Sequence, residues 1–149
     1  MGVPDPETDP QFYEGVPLRR FIAFLLDSLL IFVLWFVVLF LALIVTALTV
    51  GLAGPVMIIA LAGTGLFYRW IMLWQRSATL GMMALGIEVR DPQGEKCNGQ
   101  VAFLHSTAFL VTLYFLPLAI IGWILMASSP NRRAMHDLML GTVVINRPT

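Results

Sequence analysis

Charge is what this chain lacks. Only 12% of its 149 residues are Asp, Glu, Lys or Arg, while 58% are hydrophobic; a soluble domain carries about 25% charged residues. Such a chain has too little polar surface to cover itself in water, so a bilayer must supply part of its solvent. Net charge is zero, which leaves no basic footprint for nucleic acid. Cys97 is the single cysteine. That excludes an intramolecular disulfide and a multi-cysteine metal site, and with no flanking base to lower its pKa it reads as a plain loop thiol. No nucleophile–base pair, P-loop or dinucleotide fingerprint is present, so neither an enzyme nor a cofactor is expected. No metal is expected either, because Asp27, His105, His136 and Asp137 show no recognised ligand spacing.

What the chain has in quantity is apolar runs. Residues 1–17 precede them as a polar tail rich in proline and acids, predicted to be flexible or extended. This tail has no basic n-region and no small-residue cleavage site, so it does not read as a secretory signal. Pro6 also stands where a myristoylation start needs Ser or Thr. The domain proper is residues 18–146, with 147–149 a short C-terminal tail. A first apolar segment runs from about Leu18 to Val50, longer than the ~20 residues that span a bilayer. Gly51-Leu-Ala-Gly54-Pro55 breaks it, and a second segment runs from Val56 to about Trp74. Tyr68, Arg69, Trp70, Trp74, Gln75 and Arg76 mark its end as an interfacial belt. Ser77–Gly86 is predicted to form a short interfacial helix capped by Ser77 or Thr79. Ile87–Asp91 alternates like a strand and leads into Asp91-Pro-Gln-Gly94, whose residues suit a type I turn. This predicts a small hairpin outside the lipid.

The third apolar segment, Val101–Met126, contains Pro117 and Gly122. After it, Ser129-Pro130 predicts the N-cap and first position of a short helix over Asn131–Leu140, stopped by Gly141. Thr142–Asn146 closes the chain as a strand whose natural partner is Ile87–Asp91. The expected fold is therefore an all-α membrane protein. It has two long transmembrane helices, a third bent or re-entrant hydrophobic segment, and a small cytoplasmic strand pair.

Charge placement orients it. The Gly51–Pro55 loop has no Lys or Arg, whereas two arginines open the first segment, four basic residues lie between Arg69 and Lys96, and three lie at the C-terminus. Positive-inside puts the N-terminus, the central loop and the C-terminal arginines in the cytoplasm. A third segment that bends near Pro117–Gly122 and re-enters satisfies all three demands. Irregular backbone of that kind needs protein around it. A simple third span is the alternative.

One polar residue interrupts the first segment. A lone carboxylate such as Asp27 costs roughly 2.5–3.5 kcal/mol to place in lipid. Arg20, Ala23 and Asp27 share a helical face, but Arg20 and Asp27 are ~10 Å apart along the axis and their side chains lean the same way. Arg20 is thus expected to snorkel to the headgroups, and Asp27 to take a donor from Arg69 or Arg76 of the second segment. Arg132, Arg133, His136 and Asp137 lie near the same surface, with Arg133–Asp137 an i, i+4 pair. His105 is expected to face the bundle as a hydrogen-bonding residue. Arg20, Asp27, Arg69, Arg76, Arg133, His136 and Asp137 form the candidate polar cluster. They serve either in ion coupling or as structural ion pairs.

Three blocks in order carry a resemblance: Arg20-x-x-Ala23-x-x-x-Asp27; Ser77-Ala-Thr-Leu-Gly81 with Gly86-Ile-Glu-Val; and Arg133-Ala-Met-His136-Asp137 with Gly141-Thr-Val-Val. Together they resemble the RDD family of small membrane proteins. Arg20, Asp27 and Asp137 match the arginine and two aspartates for which the family is named. Met82 stands where the family typically has lysine, and His105 where it often has arginine. Both departures remove cations and weaken the expectation of an anion site. The resemblance implies a bacterial inner-membrane protein that transports an unknown ligand, with cation/proton exchange suggested for some members. Two functions follow: transport of an ion or small solute using Asp27 as coupling group, as a homo-oligomer, or an accessory subunit docked on a larger membrane complex through apolar faces that include Gly63 and Gly65.

Overall fold

A computed structural model describes residues 2–148, with the backbone alone at Leu116. Eight elements follow one another: α1 Val16–Leu48, α2 Gly54–Arg76, α3 Leu80–Ala84, β1 Ile87–Arg90, α4 Gly99–Tyr114, α5 Leu116–Ser128, α6 Met135–Leu140 and β2 Val143–Asn146. A 3-10 turn over Pro10–Phe12 precedes them. The first two apolar runs form α1 and α2, both long and apolar enough to cross a membrane. Pro17 and Pro55 lie in their first turns, where a missing N–H costs nothing. Between them the chain turns through left-handed Val50 and Gly51. At Gly65 of α2 an added Cβ would meet Ile31 of α1 at 3.9 Å, an ordinary van der Waals contact, so the close packing expected of a glycine is not required there.

The third apolar run forms two helices, α4 and α5, bent by 113° at the break between them. Pro117 sits in the first turn of α5. Its ring nitrogen has no hydrogen to continue the α4 ladder.

The two strands pair antiparallel, with Ile87 opposite Asn146 and Arg90 opposite Val143. This is the predicted partnership. The predicted hairpin is reduced to one bridge between Arg90 and Lys96, and Val89 N donates instead to Ser77 O at 2.7 Å. Asp91 closes the turn as expected: Gly94 N donates to its carbonyl at 3.0 Å, and its carboxylate accepts from Gln93 N and Glu95 N.

Two further expectations are corrected. Ser129-Pro130 does not begin a helix. Ser129 caps the end of α5, and left-handed Arg132 (φ 49°) prevents a continuous turn, so α6 starts only at Met135. The N-terminal tail is tied to the body. Tyr13 is buried against Val143 and Ile145, its hydroxyl donates to Pro4 O at 2.6 Å, and Asn146 Nδ2 donates to Gln11 O and Glu14 O. Cys97 is a free thiol in the loop between β1 and α4, as expected; it is buried there, and burial pushes its thiol up to about 12.

Apolar burial follows the polar end of the molecule. Val16, Leu73, Ala78, Ile87, Val89 and Val144 belong to one packed core. By contrast Trp35, Phe36, Phe40, Leu43 and Leu48 of α1 all face outward. That is the pattern of a helix solvated by lipid beyond its first three turns.

Candidate functional site

The site is built on one stripe of α1. Arg20, Ala23 and Asp27 are all buried; Arg20 faces α6, whereas Ala23 and Asp27 face α3. Ala23 is small, which lets α3 lie directly against α1. Gly81 of α3 comes so close that a Cβ there would stand 2.4 Å from Ala23 O and 3.0 Å from Asp27 Oδ1. Only glycine fits that contact.

Asp27 accepts three hydrogen bonds. Tyr68 Oη donates to Oδ1 at 2.7 Å, Gly81 N to Oδ1 at 2.9 Å, and Thr79 Oγ1 to Oδ2 at 2.6 Å. Thr79 is the N-cap of α3 and also accepts from Met82 N. Tyr68 accepts in turn from Leu80 N. The expected arginine donors do not serve. Neighbouring residues on a helix point about 100° apart, and α2 turns Tyr68 rather than Arg69 towards Asp27. Arg69 lies instead over the Phe109 ring, 3.7 Å from its centroid, and Arg76 is exposed at the end of α2.

Arg20 is corrected as well. It does not snorkel to the surface but crosses to α6. Its Nη1 lies 2.5 Å from Asp137 Oδ2, and its Nη2 3.2 Å from His136 Nε2. The pair is possible because residues after α5 bring α6 back against α4, which the local sequence could not show. Asp137 is completed by Ala134 N at 3.0 Å, His105 Nε2 at 3.0 Å and Thr142 Oγ1 at 3.3 Å. His105 thus faces the bundle as expected. Arg133 does not pair with Asp137, since α6 begins after it and its buried Nε has no partner among the described residues. Arg132 donates from Nη1 to Ala127 O at the end of α5.

The protonation pattern of α6 follows. Burial dominates at His136 and lowers its pKa to about 3, with the nearby guanidiniums adding to the effect against the pull of Asp137. The imidazole is therefore neutral and its Nε2 accepts from Arg20. Burial by itself raises the Asp137 carboxyl, but Arg20 and the two histidines outweigh it and hold the group well below the usual carboxylate range.

His105, His136 and Asp137 place three ligand atoms within 4.8 Å of one another. Arg20, however, already occupies the cation position. It bonds both Asp137 and His136, and a divalent ion there would stand against a guanidinium. The arrangement is an ion pair whose cation is supplied by the chain.

Beside this pair lies a cavity of about 80 Å³, bounded by residues of all six helices. Arg20, Asp27, Arg69, Thr112 and His136 supply its polar lining, and most of the rest is apolar. Sequence reasoning missed Tyr68, Thr79 and Gly81 as the groups around Asp27. It also missed Glu88, a buried carboxylate that pairs with Arg90 and lies 3.5 Å from Arg147. The Thr79-x-Gly81 spacing was the available signal: a capping residue followed by the glycine that contacts Asp27.

Two helices able to span a bilayer, apolar outer faces, and a charged cluster buried at one end define a small integral membrane protein. The RDD family model matches residues 15–141, and the chain belongs to that family. No curated protein and no solved structure matches it.

Proposed function

We propose that the protein moves an ion or small solute across the bacterial inner membrane, with Asp27 as its coupling group. One observation carries this reading. Asp27 lines the cavity while its hydrogen bonds come from two hydroxyls and one backbone N–H. Among the described residues no arginine or lysine hydrogen-bonds it, so its carboxyl is not held in an ion pair as that of Asp137 is. Arg20 is the electrostatic partner that anchors the α6 wall, and Asp137 with His136 forms the cytoplasmic gate.

Topology supports a return of the third segment. β1 follows α2, β2 follows α5, and the two strands pair. Both must therefore lie on one side of the bilayer, which α4–α5 achieves by re-entering. Positive-inside makes that side cytoplasmic, together with the N-terminus. Two full spans enclose no pathway by themselves, so the transporting unit is an oligomer.

The outward faces of α1 favour a second reading. From Ser28 to Leu48 only Ala42 is buried, a surface that also suits docking on a larger membrane complex as an accessory subunit. Flux measurements in proteoliposomes under a pH gradient separate the two. Asp27→Asn is expected to fold and to abolish pH-dependent flux. A folded variant with wild-type flux sinks the coupling role. Wild-type protein with no flux, purified with a stoichiometric partner, selects the accessory reading.

A further inference from the structure

Arg69 is the charged group of the cavity that the cluster leaves unused. It is 3% exposed, yet its Nε and Nη2 have no hydrogen-bond partner among the described residues. One face of its guanidinium is covered by Phe109. A ring face stabilises the cation but supplies no acceptor for its N–H groups in the guanidinium plane. Buried arginine donors are normally paired, and an unpaired one marks a missing acceptor. No described carboxylate hydrogen-bonds Arg69, although the charge of Asp27 lies near. Asp137 is committed to Arg20, and the oxygens of Asp27 face Tyr68, Thr79 and Gly81.

We propose that the cavity binds a small oxyanion, carboxylate or phosphate, with Arg69 as its anchor. Arginine suits this task because its planar fork matches the two oxygens of such a group. The volume of about 80 Å³ holds on the order of six water-sized probes, which restricts the ligand to an anionic head with a short body. Phe24, Leu113, Trp123 and Met126 form apolar walls for that body. Arg69 thereby supplies the cation that Met82 and His105 do not. Asp27 lines the same cavity, and its carboxylate opposes an anion held there. The inference rests on the transport reading for the use of the anion, not for its binding.

Equilibrium binding tests it without flux. Calorimetry would be run on full-length protein in nanodiscs of phosphatidylcholine, titrated with butyrate and separately with inorganic phosphate. Saturable binding of at least one is expected. Arg69→Gln should weaken it at least tenfold and Arg69→Lys by less. Ala119→Phe should weaken it as much as Arg69→Gln, because position 119 lines the cavity and the ring fills it while leaving every charge in place. Asp27→Asn should tighten it, whereas a cation site would lose affinity. In nanodiscs of phosphatidylglycerol, weaker butyrate binding in wild type but not in Arg69→Gln assigns the site to a net-anionic lipid headgroup; equal binding in both lipids assigns it to a solute. No binding in phosphatidylcholine, or binding unaffected by Arg69→Gln and Ala119→Phe, overturns the proposal. Should Arg69→Gln fail to fold, Ala119→Phe decides. Anion binding without flux removes transport and keeps the site; Asp27-dependent flux without anion binding does the reverse.

Discussion

Asp137 and Asp27 are both buried carboxylates at the same end of the helix bundle, but their partners differ in kind. Asp137 is held by a guanidinium, an imidazole, a hydroxyl and a backbone N–H. Asp27 is held by two hydroxyls and a backbone N–H. The first set fixes a negative charge, because Arg20 is itself buried and needs a counter-ion. The second stabilises an anion but still works as a hydrogen-bonded neutral group, because hydroxyls can turn from donor to acceptor. One acid is a lock between α1 and α6, and the other is held by neutral groups alone.

Breaking the lock has the largest expected effect. Asp137→Asn leaves Arg20 buried without its counter-charge, which costs about 3–5 kcal/mol. Chemical denaturation in detergent should show that loss, and Arg20→Met together with Asp137→Leu should recover much of it. A double variant no more stable than Asp137→Asn would mean that the ion pair does more than neutralise itself.

Gly81→Ala comes next. Its Cβ would stand 2.4 Å from a backbone oxygen of α1, and backbone cannot yield as a side chain can. Overpacking of this sort costs about 1–3 kcal/mol, and α3 must also withdraw from Asp27. Denaturation together with flux should show both functions falling. Asp27→Asn should cost only ~1 kcal/mol, because an amide oxygen still accepts from Gly81 N and Tyr68 while its NH₂ donates to Thr79. If Asp27→Asn destabilises as strongly as Asp137→Asn, the two carboxylates are not different in kind.

The comparison also shows which features were legible in the sequence. The spans, the break at Gly51–Pro55 and the pairing of Ile87–Asp91 with Thr142–Asn146 follow from apolar runs and alternation, which are local signals. The direction of Arg20 was not legible. From α1 alone it faces lipid headgroups, and only the return of α4–α5 brings Asp137 within reach. Asp27 was recognisable as a buried acid in need of donors. Its actual donors are neutral residues that a search for opposite charge passes over: Tyr68 beside the more conspicuous Arg69, Thr79 as the N-cap of a five-residue helix, and Gly81 within it. The start of α6 was misplaced because Ser129-Pro130 satisfies the usual opening pattern, while the left-handed turn at Arg132 has no signature in residue type.

The smallest expected effect at neutral pH is that of His136→Gln, and its pH dependence tests whether the Asp137 lock depends on a neutral histidine. His136 has a folded pKa of about 3 against an ordinary 6.5. Between those values the unfolded chain binds more protons than the folded one. Stability therefore falls as pH drops through that window, with a limiting slope of about 1.4 kcal/mol per pH unit for one group. Asp137, held below the usual carboxylate range, adds to acid loss only below about pH 4. Denaturation curves between pH 7 and 4.5 thus isolate histidine protonation. His136→Gln should lower stability slightly at pH 7, since its amide oxygen can still accept from Arg20, and should flatten the acid slope. His105 is present in both proteins, so the difference between their curves belongs to His136. Parallel curves would mean that His136 is already protonated beside Asp137, making the lock a cation–anion–cation cluster rather than a single ion pair with a neutral acceptor.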